Sequence, residues 1–157
     1  MMIGPNFLVP RPQVPECDVS GVVLDENESG FMPGDSVYGY IPTAIRLSTR
    51  QGSLCQYVRV PSNCLAKRPS SITPVEAAGI TLAALTSYQA LHHIAKVEPE
   101  QTVFINGGSS ATGAFAIQLA KAKGARVVAT ASAKNEQVIR NLGADEVLLS
   151  SSTRSKH

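Results

Sequence analysis

Cysteine is scarce in this sequence, and long hydrophobic runs and clusters of like charge are absent. The three cysteines, Cys17, Cys55 and Cys64, form no CxxC pair, which argues against a disulfide framework and against zinc. No stretch approaches the roughly 18 apolar residues of a membrane span, and the first residues lack the charged start and apolar run of a secretory signal. With 14 Lys+Arg against 12 Asp+Glu, nucleic acid is not an expected partner. These absences favour a globular cytoplasmic protein that does not associate with a membrane.

The hydrophobic pattern changes its period near residue 73. Before that point, short β-branched runs alternate with turn residues and predict four strands, at Val19–Leu24, Ser36–Ile41, Leu54–Val60 and Cys64–Lys67. Turns are predicted at Glu28–Gly30 and Met32–Asp35, and the proline-rich start before Val14 predicts an extended arm. We therefore predict a small, incomplete β-domain over residues 1–72 and a second domain over residues 73–157.

A capping box marks the start of the second domain. Thr73, Pro74 and Glu76 occupy the N-cap, N1 and N3 positions of a helix. The helix that follows is predicted to carry one apolar stripe, and Gly79 is a candidate break that would divide it in two. The residues of this stripe are Ala84, Tyr88, Leu91 and Ala95.

Beyond Pro99 the pattern alternates between strands and helices. Apolar runs predict strands at 103–105, 127–131 and 147–149. Between them we expect a helix that ends at Gly124 and a shorter one over Lys134–Leu142 that ends at Gly143. The face of the first helix is predicted from Ala111, Phe115, Leu119 and Ala122. This β-α-β-α-β order requires a parallel sheet with right-handed crossovers, and the tail from Ser150 is predicted to have no element.

The segment Asn106–Gly113, read NGGSSATG, lies between the first of these strands and its helix. Glycines let a backbone turn tightly and approach a ligand, while helix N-terminal amides attract a pyrophosphate. Against the GxGxxG template, Gly108 and Gly113 fill the outer positions, but Ser110 holds the middle one. The pattern alone also fits a structural turn in any doubly wound fold, and the flanking strands favour a dinucleotide.

The end of the next strand indicates the kind of dinucleotide. NAD enzymes place a carboxylate there, about 20 residues past the glycines, to bind the ribose 2′-hydroxyl. Here the stretch reads VATASAK and contains no acid. Ser132 and Lys134 can instead donate to a 2′-phosphate, which favours NADP(H). The alternative for Lys134 is an ordinary solvated lysine.

Five motifs in register resemble the medium-chain dehydrogenase/reductase superfamily, and within it the zinc-free quinone oxidoreductase and enoyl reductase branch. The similarity runs from about Val14 to Val147. Besides the glycine turn with its helix and NLGADEV, the motifs are PECDVSGVV at 15–23, PGDSVYG at 33–39, GSLCQYV at 52–58 and ALTSY at 84–88. The resemblance implies an α/β fold, with a partial GroES-like β-domain followed by the first half of a Rossmann nucleotide-binding domain.

The resemblance also implies a function. NADPH would deliver a hydride to a quinone or to an α,β-unsaturated carbonyl, in a cleft between the two domains. The pyrophosphate turn would be lined by Gly107, Gly108, Ser110, Ala111, Thr112 and Gly113. Thr86 would lie near the nicotinamide, although its hydroxyl could equally bond to its own helix. Tyr38 and Tyr40 could donate a proton or hydrogen bond to substrate, with Tyr40 our catalytic candidate, or could pack on a strand face.

Zinc-dependent relatives would carry ligands where this chain has Cys17, Asp18 and Leu82. One remaining thiol is not a tetrahedral site, so we expect no zinc and interpret Cys17 as a buried strand residue. His92 and His93 are expected at the surface.

The resemblance covers only part of a usual family member, so the expected chain is truncated at both ends. Exposed sheet edges then predict a homo-oligomer, and a single chain is expected to be an incomplete reductase. The competing hypothesis is a non-redox protein on the same scaffold, either a binding or assembly module or an isomerase or cyclase.

Overall fold

The computed structural model describes residues 12–25 and 30–150. The chain divides into two units, Met1–Leu82 and Ala83–His157, whereas the sequence predicted the boundary ten residues earlier, at the start of a helix. The predicted arm before Val14, the turn at Glu28–Gly30 and the tail after Ser150 lie wholly or largely outside the described residues.

The first unit contains an antiparallel sheet of three strands: β1 (Asp18–Val22), β2 (Ser36–Tyr40) and β3 (Leu65–Lys67), in that spatial order. The predicted turn at Met32–Asp35 forms, because the Asp35 amide donates to the Met32 carbonyl at 3.0 Å and the Asp35 carboxylate accepts from the Met32 amide at 2.9 Å. Val37, in β2, and Ile41, just after it, are buried.

Two parts of the first unit depart from prediction. Helix α1 (Thr43–Thr49) follows Pro42 and was not predicted at all. The predicted strand Leu54–Val60 is wrong, since this segment forms bends and irregular backbone. The amide of Leu54 donates to the carbonyl of Pro15 instead of to a strand. A β-branched run becomes a strand only where another strand pairs with it, and the described residues supply none here.

Helix α2 (Pro74–Tyr88) begins at the predicted capping box. The Thr73 amide donates to the Glu76 carboxylate at 2.8 Å, and the Glu76 amide donates back to the Thr73 hydroxyl at 3.3 Å. The helix runs through Gly79 without a break, so the suggested division was wrong. It continues as a π-helical turn over Gln89–Ile94. Of the predicted apolar stripe only Leu91 is buried.

The second unit contains a parallel sheet with the order β4 (Thr102–Ile105), β5 (Arg126–Ala131) and β6 (Glu146–Leu149). Helix α3 (Ala111–Ala122) connects β4 to β5, and a short 3-10 turn with helix α4 (Glu136–Asn141) connects β5 to β6. Gly124 and Gly143 follow the two helices with φ values of +81° and +109°, as helix-ending glycines do. The predicted β-α-β-α-β unit is therefore confirmed.

The core of this unit lies between the sheet and the two helices, where Ile117, Val127, Ala129 and Ile139 have no exposed surface. Of the predicted face of α3 only Leu119 packs against this core, and the fully buried residues of the helix are Gly113, Ile117 and Ala120. Among the described residues, no helix is long and apolar enough to cross a membrane.

Asp145 ties β5 to the segment before β6. Its carboxylate accepts from the amide of Val127 at 2.6 Å and pairs with Lys121 at 2.9 Å. These contacts hold the pKa of the Asp145 carboxyl below its ordinary value. The hydrogen bond from the Val127 amide lowers the pKa most, and the contact with Lys121 lowers it next. The bonded amide belongs to a fully buried residue, so losing its acceptor is costly.

We therefore expect Asp145→Ala to lower the free energy of unfolding by about 1 to 2 kcal/mol, mostly through the Val127 amide because solvent screens the lysine pair. A lowered folded-state pKa gives stability that is complete above the ordinary aspartate pKa and is lost as pH falls through the folded value. The difference from the unmodified protein in urea unfolding should therefore be full at pH 7 and shrink below about pH 4. Glu146→Ala, which breaks only the half-exposed pair with Arg126, is the control and should cost less than about 1 kcal/mol.

Candidate functional site

The turn between β4 and α3 is the segment for which the sequence predicts an anion site. The chain leaves β4 at Asn106, and Gly107 follows with φ +75°. This left-handed conformation strains any residue with a side chain. A Cβ at this position would meet nothing within 4 Å, so conformation and not space requires glycine at 107.

Gly108 and Gly113 are required for the opposite reason, which is space. A Cβ on Gly108 would lie 3.1 Å from both Ala129 Cβ and Ile117 Cδ1. A Cβ on Gly113 would overlap the carbonyl oxygen of Gly107 and lie 2.9 Å from Gly108 Cα. The first turn of α3 therefore packs directly on the backbone of the turn, which is the close helix approach that dinucleotide sites use.

Ser110, which replaces the middle glycine of the template, is the N-cap of α3. Its φ of −73° and ψ of 161° are open to any residue. The hydroxyl accepts from the Gly113 amide at 3.0 Å and donates to the Gly107 carbonyl at 2.8 Å. The serine thus closes the turn with its side chain, where a glycine would leave that task undone.

Two amides at the N-terminus of α3 stay open. Among the described residues, no acceptor binds the N–H groups of Ala111 or Thr112, and both residues are exposed. A helix N-terminus carries partial positive charge, and open amides there bind phosphate oxygens. The open amides are therefore donors of the kind that a pyrophosphate needs.

Ser132 and Lys134 lie at the same edge of the sheet as the glycine turn. The parallel pairing of β4 with β5 places Ile105 opposite Ala129, so the carboxyl ends of both strands meet there. Ser132 follows β5 and is half-buried, and its side chain caps no amide. Lys134 is exposed, and within residues 12–25 and 30–150 no hydrogen bond or ion pair engages it. A second anionic group at this edge would meet a free cation.

Two further polar residues support the turn and were missed in the sequence. Thr130, in β5, bonds to the turn through both its hydroxyl and its carbonyl. Ser87, in α2, has an exposed fraction of 1%. Its hydroxyl lies 2.8 Å from the Thr112 carbonyl and 2.9 Å from that of Ala83. Ser87 therefore holds the first turn of α3 against α2.

The other predicted residues are described within their own units. Thr86 is exposed on α2, and its role near a nicotinamide stays a prediction. Tyr38 and Tyr40 are half-buried on one face of β2, in the other unit, and a catalytic role for Tyr40 also stays a prediction. His93 is exposed as expected, but His92 is half-buried and stacks on Tyr88 with ring centroids 4.2 Å apart.

Cys17 lies just before β1 and is half-buried, so its prediction as a buried strand residue was wrong. Burial, and next the negative charge of Asp18, raise the pKa of the Cys17 thiol, which disfavours the thiolate that a metal needs. No three His, Cys, Asp or Glu side chains in the described part of the chain are grouped to hold a metal ion.

Comparison with known proteins finds oxidoreductase relatives, although no family model matches the chain. The mitochondrial NAD(P)H oxidoreductase RTN4IP1 of Mus musculus is 36% identical over 137 residues, which are 83% of this chain and 33% of that protein. The chloroplastic quinone-oxidoreductase homolog of Spinacia oleracea is 33% identical over 150 residues, which are 90% of this chain and 44% of that protein. The chain thus spans less than half the length of these curated relatives.

Solved structures similar to this chain belong to the same kind of protein as the sequence relatives. An alcohol dehydrogenase superfamily protein from Novosphingobium aromaticivorans has a TM-score of 0.81 at 33% identity, over 89% of this chain and 42% of that one. A mycobacterial protein complexed with NADPH has a TM-score of 0.78 at 26% identity, over 91% of this chain and 43% of that one. The predicted fold, a partial GroES-like β-domain followed by half of a Rossmann domain, is therefore confirmed.

Proposed function

We propose that this chain, which is homologous to part of the NAD(P)H and quinone oxidoreductases of the medium-chain dehydrogenase/reductase superfamily, binds NADPH at the turn between β4 and α3. The observation that carries the proposal is the pair of open amides at Ala111 and Thr112. They lie beside a turn in which Gly108 and Gly113 leave no room for a Cβ. Glycines at these two positions let the first turn of α3 pack directly on the turn's backbone, which holds the open amides close to it.

Each residue of the turn has a separate task in this proposal. The amides of Ala111 and Thr112 hold the pyrophosphate, with the dipole of α3 behind them. Ser110 keeps the Gly113 amide and the Gly107 carbonyl occupied, so neither competes for solvent or ligand. When bound, the nicotinamide cofactor supplies a hydride, and the protein supplies orientation and charge.

NADPH is favoured over NADH by the charge at the end of β5. Neither Ser132 nor Lys134 is acidic, and the exposed Lys134 has no partner among the described residues. A lysine free to pair with a phosphate favours the 2′-phosphorylated cofactor, whereas a ribose 2′-hydroxyl would need a carboxylate.

The proposed substrate is a quinone or an α,β-unsaturated carbonyl, because relatives carry the name quinone oxidoreductase. Both substrate classes end hydride transfer with negative charge on oxygen, which a hydroxyl donor stabilises. Thr86 is the residue that we propose near the nicotinamide, and Tyr40 as the donor stays a prediction.

Fluorescence titration with NADPH tests the proposal. We expect saturable enhancement or quenching on mixing with the full chain, with inorganic pyrophosphate as a competitor for the turn. Absence of binding at millimolar NADPH would reject the proposal and favour the alternative, a non-redox protein on the same scaffold.

Turnover is expected to differ from binding. In doubly wound folds the nicotinamide lies across the switch point, against the second set of strands, and the described residues contain only three parallel strands. A donor misplaced by about 1 Å can lose roughly a hundredfold in rate. Residues 1–157 assayed alone should therefore bind NADPH without measurable oxidation in the presence of quinones or enones. Absorbance at the NADPH band measures this, and robust turnover would contradict it.

We also propose that the reaction uses no zinc. A catalytic zinc needs three protein ligands, whereas no three His, Cys, Asp or Glu side chains among the described residues are grouped to hold a metal ion and position 82 carries a leucine. Elemental analysis of protein purified without chelator should find well under one zinc per chain. Self-association and a cytoplasmic location stay predictions.

A further inference from the structure

Thr130 makes three hydrogen bonds to the glycine turn from the neighbouring strand. Its hydroxyl accepts from the Gly107 amide at 2.8 Å and donates to the side-chain oxygen of Asn106 at 2.7 Å. Its carbonyl accepts from the Gly108 amide at 2.8 Å. One residue of β5 thus binds three successive residues of the turn.

The alternation along β5 explains why a threonine can do this. Val127, Ala129 and Ala131 are buried on one face of the strand, so Thr130 projects from the other face, where it is half-buried. The regular ladder between β4 and β5 ends at the Ile105–Ala129 pair. The hydroxyl and carbonyl of Thr130 prolong that pairing by two residues, into a segment whose φ of +75° at Gly107 has already left strand geometry.

These bonds decide which amides of the turn are open. The N–H groups of Gly107 and Gly108 donate to Thr130, and that of Gly113 donates to Ser110. Among the described residues, the amides of Ser109, Ala111 and Thr112 donate to no acceptor and are left for an anion. Without the hydroxyl, the Gly107 amide would lose its acceptor and the turn could rotate about its two glycines.

We infer that Thr130 is a positioning residue for the cofactor pyrophosphate, acting through the backbone of the turn without contacting the cofactor. The inference rests on the proposed function, since it assumes that the open amides bind a pyrophosphate. It goes beyond it by assigning the control of that binding to a strand residue outside the glycine motif.

Thr130→Val tests the inference, because valine keeps the shape and removes the hydroxyl. Loss of the bonds to Gly107 and Asn106 should weaken NADPH and NADH by the same factor, about tenfold, since both carry the pyrophosphate. Thr130→Ser keeps the hydroxyl and should bind within about threefold of the unmodified protein. Thr102→Val is the matched control: Thr102 lies at the other end of β4, its hydroxyl bonds to no described residue, and its replacement should change neither affinity.

Two measurements distinguish a positioning role of Thr130 from a role limited to the stability of the fold. The unfolding midpoint of Thr130→Val should stay well above the assay temperature, and the exchange of the Gly107 amide with deuterium should accelerate more than that of amides in the strand centre. Should the valine variant not fold, Thr130→Ala, judged by the same ratio of affinities, replaces it.

The outcomes distinguish the inference from the function on which it rests. Equal cofactor affinity in the unmodified protein and Thr130→Val overturns the inference and leaves the proposed function intact. Weakening that serine does not rescue, or that affects NADPH alone, also overturns it. No cofactor binding by the unmodified chain overturns both, and an equal loss for both cofactors with rescue by serine supports both.

Discussion

Replacing Gly113 with alanine is expected to lower the free energy of unfolding by about 1 to 3 kcal/mol and to abolish measurable NADPH binding. The new Cβ would overlap the Gly107 carbonyl oxygen and lie 2.9 Å from Gly108 Cα. Backbone cannot yield as a flexible side chain does, so α3 must move away from the turn. That shift would carry the open amides of Ala111 and Thr112 with it.

A graded series of glycine variants checks this expectation by urea unfolding and NADPH titration. Gly108→Ala should have a smaller effect, because its Cβ contacts are with side-chain atoms at 3.1 Å. Gly79→Ala is the control within a helix. A Cβ there meets nothing within 4 Å, so alanine should stabilise by about 0.5 to 1 kcal/mol through helix propensity. An unchanged midpoint in Gly113→Ala would contradict the close packing of helix on turn.

Replacing Lys134 with alanine is expected to weaken NADPH about tenfold and to leave NADH unchanged, since charge-assisted contacts to phosphate are worth about 1.5 to 3 kcal/mol and solvent reduces this at an exposed site. The loss should shrink at high salt, because ions screen an exposed pair. Titration of both cofactors against both proteins measures the ratio.

Lys123→Ala is the matched control for Lys134→Ala. Lys123 is an exposed lysine at the C-cap of α3, at the opposite end of the helix from the glycine turn. Its removal should change neither affinity. If Lys134→Ala lowers the affinities for NADPH and NADH equally, the lysine contacts the pyrophosphate. If neither affinity falls, Lys134 is an ordinary solvated lysine.

The parts of the fold that follow local rules could be predicted from sequence. The capping box at Thr73 needs only two residues three positions apart, and its hydrogen bonds form as expected. The β-α-β-α-β order was predictable because short apolar runs and helix-ending glycines such as Gly124 alternate along the chain. These signals come from neighbouring residues and need no tertiary contact.

Rotation of α3 could not be predicted, because apolar side chains surround most of this helix. Ala111, Phe115 and Leu119 make as regular a stripe as Gly113, Ile117 and Ala120. The stripe of Gly113, Ile117 and Ala120 is buried because Gly113 packs against the turn. That contact exists only in the folded unit.

Support for the turn was missed for a related reason. Thr130 and Asn106 are 24 residues apart, as the separation in their hydrogen bond shows, and Ser87 bonds to a carbonyl 25 residues away. No local pattern links such pairs. A usable signal was present for Thr130, because a threonine interrupts the apolar run at the end of β5, the strand predicted to follow the glycine turn and its helix.

The serine at position 110 has a consequence for how nucleotide-binding turns are recognised in uncharacterised genomes. In this turn glycine is demanded by dihedral angle at 107 and by crowding at 108 and 113, while position 110 has an ordinary extended backbone. A search string that insists on three spaced glycines would discard this chain. A string that tolerates a small hydroxyl residue at the helix cap, and keeps glycine where crowding requires it, would retain this chain and others with the same substitution.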